Sequence, residues 1–363
     1  MSAMAHITEG PAIITNANAF FANGGPGSGA VAKKLLNSDF DVNALRPYIA
    51  NDGRSYHDRM VNGEKRTFID NDGTLRKLEW ELLDKAIIPA AKPRLKLVAD
   101  LLQSVPYSLP NPMGTTTIQY QQQSDISEAT LSLDGVRRSE RDRPTFSLVN
   151  LPIPIIHKDF SYNIRELETS RRGGQPLDTV TATLAARRVA EIAEQLAIGT
   201  LSYSSGGDTV YGLTNFPSRI TYSITDPTGG GWTPANTVND VLAMQLASRQ
   251  HYNFGPWKLY VSLNFAQYLD RDMSGYYMNK TLRQRIKDIE GITDVVTLDY
   301  LTGYQMILVQ MDANNIQMIK GMMPTMVQWE GSGGFEVFFK IFAILVPWLR
   351  SDKYGNCGIV HGS

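Results

Sequence analysis

The sequence predicts an α+β protein of two units, built around one long helix and closed by long strands from the far end of the chain. Three observations carry this. From Pro176 to about Leu201, the residues Ala185, Val189, Ile192 and Leu196 recur at helical spacing, with Arg187, Arg188, Glu191 and Glu194 on the other faces. Phe335 to Trp348 is a nearly unbroken run of β-branched and aromatic residues, the pattern of a long strand buried in a sheet. Between these, helix and strand signals alternate, as in a compact α/β insertion. At 363 residues the chain has room for two domains, taking about 150 residues for each.

Residues 1 to about 35 are small and polar around Asn23–Gly24–Gly25–Pro26–Gly27–Ser28–Gly29. They cannot build a core, so they read as a flexible or partner-draped arm. Asn51–Asp52–Gly53 and Asn71–Asp72–Gly73 are turn signals that bracket a short strand-like segment. A helix is predicted from a Thr74 cap, with Leu75, Leu78, Leu82 and Ala86 on one face. Pro89 and Pro93 are expected to interrupt or kink it, and Leu95, Val98, Ala99 and Leu102 continue an apolar stripe.

Thr115 to Val149 is the most unusual segment. Thr115 to Gln123 has β character but almost no apolar face, and the return half carries Arg137, Arg138, Glu140, Arg141, Asp142 and Arg143. A two-stranded hairpin of this kind is marginal alone, and its free edges invite another chain. Because β-favouring residues persist on both arms, support from a neighbouring subunit is expected, which makes the hairpin an assembly device.

Leu151 to Ile156, with Pro152 and Pro154, fits a strand entry or sheet edge. The helix opened by Pro176 would be roughly 35–40 Å long at 1.5 Å per residue, a spine for the subunit. After the turn cluster at Asp226–Gly231 come a helix (236–251) and a strand (257–261). Two further helices (264–271 and 280–290) and strands at 295–298 and 304–310 follow. Strands at 325–329 and 335–346 should return to the first unit's sheet, and the turn-rich tail from Arg350 to Ser363 should end on the second.

Composition removes several functions. Hydrophobic residues make up 42% and charged residues 20%, an ordinary globular balance, and the formal net charge is -1 rather than the basic excess of a duplex-gripping protein. The single cysteine, Cys357, cannot form an internal disulfide and reads as a small buried hydrophobe. No secretory signal is visible, and the most apolar stretch contains Lys340 and Pro347 and is too short to span a bilayer, so no membrane is expected. The run Gly24–Gly29 lacks the Lys-Ser/Thr pair of a phosphate-binding loop, since Ala30 and Val31 follow it. Asp70–Asn71–Asp72–Gly73 has Phe68 where a calcium loop needs its first acidic ligand, so a plain turn is expected. The five histidines share no metal-ligand spacing, His157 reads as structural, and no nucleophile elbow occurs. No catalytic residue, cofactor or metal is assigned, and the chain is not expected to be an enzyme.

Several segments in order resemble the major capsid proteins of tailed phages with the Hong Kong 97-like fold, which is shared with encapsulin shells. They are LRPYIANDGRSY at Leu45–Tyr56, GTLRKLEWELLDKAIIPAAKPRLKLVADL at Gly73–Leu101 and QSDISEATLSLDGVRRSERDRPTFSLVNLPIPIIHKDF at Gln123–Phe160. PLDTVTATLAARRVAEIAEQL at Pro176–Leu196 and YGLTNFPSR at Tyr211–Arg219 complete the set. The resemblance implies an N-terminal arm (1–73), an arm-to-loop helix (74–111) and an extended β-hairpin loop (112–157). It also implies a peripheral domain (158–205 and 323–349) with its spine helix at 176–201, and an axial α/β domain (206–322 and 350–363). The implied function is mechanical: pentamers and hexamers closing into an icosahedral shell around double-stranded DNA.

The resemblance further implies neighbour contacts through Gln119, Gln121, Gln123, Arg137, Arg138, Glu140, Arg141, Asp142 and Arg143 on the loop, and through Phe20, Phe21, Leu45 and Tyr48 on the arm. Arginine suits bidentate pairing with a neighbour's carboxylates. Some such capsids crosslink through a loop lysine, but residues 115–144 hold no lysine, so no crosslink of that kind is expected. Expected partners are the chain itself, cement or decoration, scaffolding and portal proteins, and packaged DNA held by weak, sequence-independent contact. The implied location is the virion, assembled in the host bacterial cytoplasm. An encapsulin-type shell around a protein cargo is the second reading, since Pro176–Leu196 and Tyr211–Leu213 resemble encapsulins too. Against it, the arm is longer than an encapsulin's N-terminal helix and the chain is larger.

Overall fold

The computed structural model describes residues 41–61, 64–70, 73–123, 129, 131, 133, 143–173, 179–271, 280–329, 335–352 and 354–363. A 3₁₀ turn at Val42–Leu45 leads into β1 (Tyr48–Ile49), β2 (Ser55–Val61), β3 (Glu64–Asp70) and β4 (Leu75–Arg76). Helices α1 (Lys77–Ala91) and α2 (Lys96–Ser104) are joined by a 3₁₀ turn at Lys92–Arg94. Then come β5 (Pro106–Ser108), the hairpin strands β6 (Thr117–Gln123) and β7 (Phe146–Pro152), β8 (Ile156–Asn163), α3 (Ile164–Gly173) and α4 (Val180–Ile198). Short strands β9 (Tyr203–Ser205), β10 (Asp208–Val210) and β11 (Ile220–Tyr222) precede α5 (Pro234–Gln250) and β12 (Trp257–Ser262). The chain closes with α6 (Leu263–Leu269), α7 (Leu282–Lys287), β13 (Ile292–Leu298), β14 (Met306–Gln310), β15 (Ile316–Trp329), β16 (Glu336–Leu349) and β17 (Ile359–Gly362).

Two sheets organise the chain. The sheet expected for the peripheral domain has the order β5-β15-β16-β8, and α1 and α4 pack on one of its faces through Phe339, Ile341, Trp80, Val189 and Ala193. The sheet expected for the axial domain, called the axial sheet below, has the order β11-β17-β14-β12-β13. Period-two alternation divides its side chains: Leu259, Val261, Met306, Leu308 and Val360 face α5, α6 and α7, whereas Tyr260, Ile307, Val309 and Ile359 join the core around the long helix. Apolar packing is therefore continuous from the spine helix into the inner face of the axial sheet.

Several sequence expectations change. Leu75 lies in β4 rather than in the helix, which starts after Arg76, where Glu79 Oε2 accepts the Arg76 N–H at 2.7 Å. The buried face of α1 is Trp80, Leu83, Ile87 and Ala91, while Leu78 is 76% exposed. The helix runs through Pro89 before tightening into the 3₁₀ turn that contains Pro93. On α2 the buried stripe is Leu97, Val98 and Leu101, and Ala99 is exposed. The spine helix spans 19 residues, about 28 Å at 1.5 Å each, shorter than expected. Ile192 is exposed, whereas Glu191 and Glu194 are buried.

The segment between the first two turn signals holds two paired strands, β2 and β3, rather than one. β15 begins nine residues earlier than expected, with register shifts around Met322 that absorb Gly321 and Pro324. The tail forms β17 inside the axial sheet, and Cys357 is fully buried, its thiol donating to the Ser218 carbonyl at 3.0 Å.

Gly199 ends the spine helix in the left-handed region at φ 98°, as a helix terminus of this kind requires. Gly212 lies against it, and a Cβ there would sit 2.3 Å from the Gly199 nitrogen. The motif Tyr211–Gly212–Leu213 is thus a close crossing that locks the helix end, with Leu213 N–H bonded to Ala197 O at 3.0 Å.

Candidate functional site

The hairpin is the segment whose chemistry the monomer does not use up. β6 and β7 pair in register from Thr117↔Pro152 to Gln123↔Phe146. Alternation sends Ile118, Tyr120 and Gln122 inward. The Tyr120 ring meets Trp348 edge-on at 5.6 Å, and Tyr107 meets the same ring edge-on at 5.2 Å. Gln122 Nε2 donates to the Ser351 and Asp352 carbonyls at 2.7 and 2.6 Å. The hairpin root therefore has an inner face that the sequence reading missed, and it is fastened to the strand β16 and the tail beyond it.

Gln119, Gln121 and Gln123 occupy the outward face and are exposed. Directly across from them stand Asn150, Leu148 and Phe146, of which Leu148 is 55% and Phe146 59% exposed. Leu131 and Leu133, farther along the loop, are fully exposed. Four large apolar residues on one excursion of the chain are an unfavourable surface for a free subunit. The alternation Phe146-x-Leu148 was the signal for them in the sequence. Arg143 is exposed, while Arg137, Arg138, Glu140, Arg141 and Asp142 lie outside the described residues. Phe20 and Phe21 lie outside them too. Leu45 and Tyr48 are half-buried, and Tyr48 donates its hydroxyl to Asp58 at 3.1 Å.

Charged groups sit at the joints between elements. Arg171 on α3 binds Glu79 on α1 through two nitrogens, at 2.9 and 2.8 Å, and also the Thr74 carbonyl at 2.7 Å. Burial works to raise the Glu79 carboxyl, but Arg171 and the Arg76 N–H outweigh it and hold it below its ordinary value. On the spine helix, Glu194 accepts the Leu97 and Val98 N–H groups at 2.6 and 3.1 Å, capping α2 from 97 residues away. Burial pushes its carboxyl up to about 7, against those two hydrogen bonds. At the other side of α2, Asp100 accepts from Tyr260 Oη and Lys258 Nζ of β12, and Lys96 pairs with Asp299 at 2.7 Å. Helix α2 is thus the polar clasp between the spine helix and the axial sheet, and burial together with Asp100 raises the Tyr260 hydroxyl well above its ordinary range.

Among the described residues no group of three or more His, Cys, Asp or Glu side chains could hold a metal ion, and no helix is long and apolar enough to cross a membrane. What the arrangement can do is bind other surfaces. It has a hairpin whose outward face exposes Phe146 and Leu148 among glutamines, a long spine helix, and a second sheet clasped to that helix.

Those features define a class: the fold is the Hong Kong 97-like fold of shell subunits. It is similar to the subunit of a virus-like particle from Pyrococcus furiosus, with a TM-score of 0.54, 17% identity, and coverage of 78% of this chain and 99% of that one. It is also similar to the capsid of Myoviridae phage XM1, with a TM-score of 0.55, 9% identity, and coverage of 72% and 90%. In sequence, the type 1 encapsulin shell protein EncA of Myxococcus xanthus (strain DK1622) is 26% identical over 223 residues, 60% of this chain and 72% of that protein. The chain belongs to DUF6260, a family of unknown function whose model matches residues 71–330.

Proposed function

We propose that the chain is a structural shell protein, not an enzyme. Its copies self-assemble into pentamers and hexamers that form the icosahedral head shell around the double-stranded DNA genome of a tailed phage. The observation that carries the reading is the hairpin, whose outward face and distal loop expose Phe146, Leu148, Leu131 and Leu133. A neighbouring copy would cover them, burying apolar area that the monomer leaves in water.

In this reading residues 1–73 form the arm, 74–111 the arm-to-loop helix and 112–157 the extended loop. Residues 158–205 with 323–349 form the peripheral domain, and 206–322 with 350–363 the axial domain. Gln119, Gln121, Gln123 and Arg143 contact a neighbour, joined by Arg137, Arg138, Glu140, Arg141 and Asp142 on the loop and by Phe20, Phe21, Leu45 and Tyr48 on the arm. Cement, scaffolding and portal proteins and weakly held DNA are the partners. The virion is the final location, after assembly in the host cytoplasm.

A second reading, a nanocompartment shell around a protein cargo, is favoured by the likeness to the EncA shell protein. Negative-stain electron microscopy of the purified chain, with its mass in solution, tests both. Closed particles or capsomer rings are expected, and nucleic acid or protein inside them separates the two readings. A chain that stays monomeric, also when expressed with its neighbouring gene products, would overturn the shell assignment.

A further inference from the structure

The outward side of α5 lacks what a helix in water carries. Its inward side, with Val238, Val241 and Met244, packs in the apolar cluster under the axial sheet. Outward stand Asn239, Leu242 and Leu246, with Ala243 and Ala247 half-buried beside them. Leu242 is 44% and Leu246 57% exposed. From Pro234 to Ser248 the one charged residue is Asp240, which is buried and accepts the Thr225 N–H at 2.9 Å. The helices on the other sheet differ: α1 exposes Lys77, Glu81 and Lys85, and α4 exposes Arg188. A solvated helix face is normally charged. Loss of charge around apolar side chains is the mark of the middle of a protein contact. Just past the helix, Tyr252 and Phe254 stand well exposed.

Size and symmetry point to the partner. At 1.5 Å per residue the uncharged run makes a face about 22 Å long and about 11 Å wide, roughly 240 Å². A specific contact that stands alone buries about 800 Å² on each side. This face is too small to capture a separate protein. It suffices where the two partners are already joined elsewhere, because effective concentration then takes the place of area. Copies joined through their hairpins meet that condition. Contacts that close a ring are also heterologous, so each copy presents two different patches, and the hairpin supplies one of them. With a formal charge of -1 on each chain, two copies have little repulsion to overcome.

We propose that the outward face of α5, through Leu242 and Leu246, is a second self-contact, made against a neighbouring copy that the hairpin also touches. The inference rests on the shell reading and adds to it a contact on the helical layer of the axial sheet.

The variant L242D/L246D tests it in the full chain. Both residues are exposed, so its circular dichroism and urea midpoint are expected to match those of the unmodified chain, while particles and rings fall at least tenfold in the microscope. L242M/L246M, which keeps the face apolar, is expected to assemble normally. Normal particles from L242D/L246D would overturn the contact and leave the shell reading standing. Normal particles that shed a different, co-purified protein would show that another partner covers the face, and would overturn it too. An unmodified chain that stays monomeric would overturn both readings. A second measurement does not depend on the aspartates: maleimide labelling of L246C, with the native thiol fully buried at Cys357. Labelling is expected to be at least ten times slower in particles than in unassembled subunits, and equal rates would refute the contact.

Discussion

Replacing Glu194 by Gln reads out the most heavily desolvated carboxylate of the spine helix. Glu194 is 1% exposed and holds the first turn of α2 through two backbone N–H groups. Those bonds and the helix N-terminus favour its charged form, yet burial outweighs them and lifts the carboxyl from an ordinary 4.5 to about 7. At 1.36 kcal/mol per pH unit this displacement is worth about 3 kcal/mol. The sign follows from proton counting. Between pH 4.5 and 7 the folded chain holds a proton that the unfolded chain has lost, so this group's contribution to stability is fully present below 4.5 and falls as pH rises towards 7. Gln mimics the protonated acid and cannot titrate. The stability of E194Q relative to the unmodified chain is therefore expected to rise by about 3 kcal/mol between pH 4 and pH 8, most steeply between 4.5 and 7. Urea unfolding of unassembled subunits at a series of pH values measures it, and taking the difference between the two chains removes every other titrating group. A difference that stays flat across this range would refute the reasoning.

Three further outcomes are expected. R171M leaves Glu79 half-buried without its guanidinium and should cost about 2 kcal/mol in thermal or urea unfolding. Because Glu79 is held below its ordinary value, the stability it supplies exists above that value and is lost as pH falls through the folded one, so R171M should also flatten the acid limb of the stability profile. G212A places a methyl 2.3 Å from the Gly199 nitrogen and 2.5 Å from the Leu196 carbonyl oxygen. Backbone on both sides cannot yield, so a loss of about 3 kcal/mol is expected, seen as a lower urea midpoint. F146S/L148S should abolish particles in the microscope while changing subunit stability by no more than about 0.5 kcal/mol, because both residues are exposed in the subunit; normal particles would count against the hairpin as the contact.

The long elements were legible because each had one dominant pattern. The strand β16 reads as an unbroken apolar run, and the α5–β12 succession as helix then strand. The face of α1 was not, because Leu78 and Leu82 form one helical stripe and Trp80, Leu83 and Ile87 another; only the position of Phe339, which Trp80 meets edge-on at 6.0 Å, selects between them. β15 was truncated in the sequence reading because Gly321 and Pro324 look like stops, whereas bulges carry the strand past both. Glu194 looked like a solvated helix charge, since nothing nearby in the sequence says that the start of α2 arrives beside it. At the candidate site, Gln119, Gln121 and Gln123 were named only through the resemblance, and the strand alternation places all three on the exposed face. The alternation Phe146-x-Leu148 puts these two on one face in the sequence, but that they stand opposite Gln123 and Gln121 required the strand register.

The strand β17 has a consequence for how the chain is made. It fills the slot between β11 and β14, so the edge strand β11 has no partner in the sheet until Gly362 has emerged from the ribosome. The peripheral sheet waits almost as long, because β5 and β8 find their partners only in β15 and β16, at 316–349. Loop closures of this length are slow, and the half-made chain exposes strand edges and apolar faces while it waits. An unfinished copy thus presents neither sheet in complete form, and order of synthesis itself keeps partial chains from serving as building blocks.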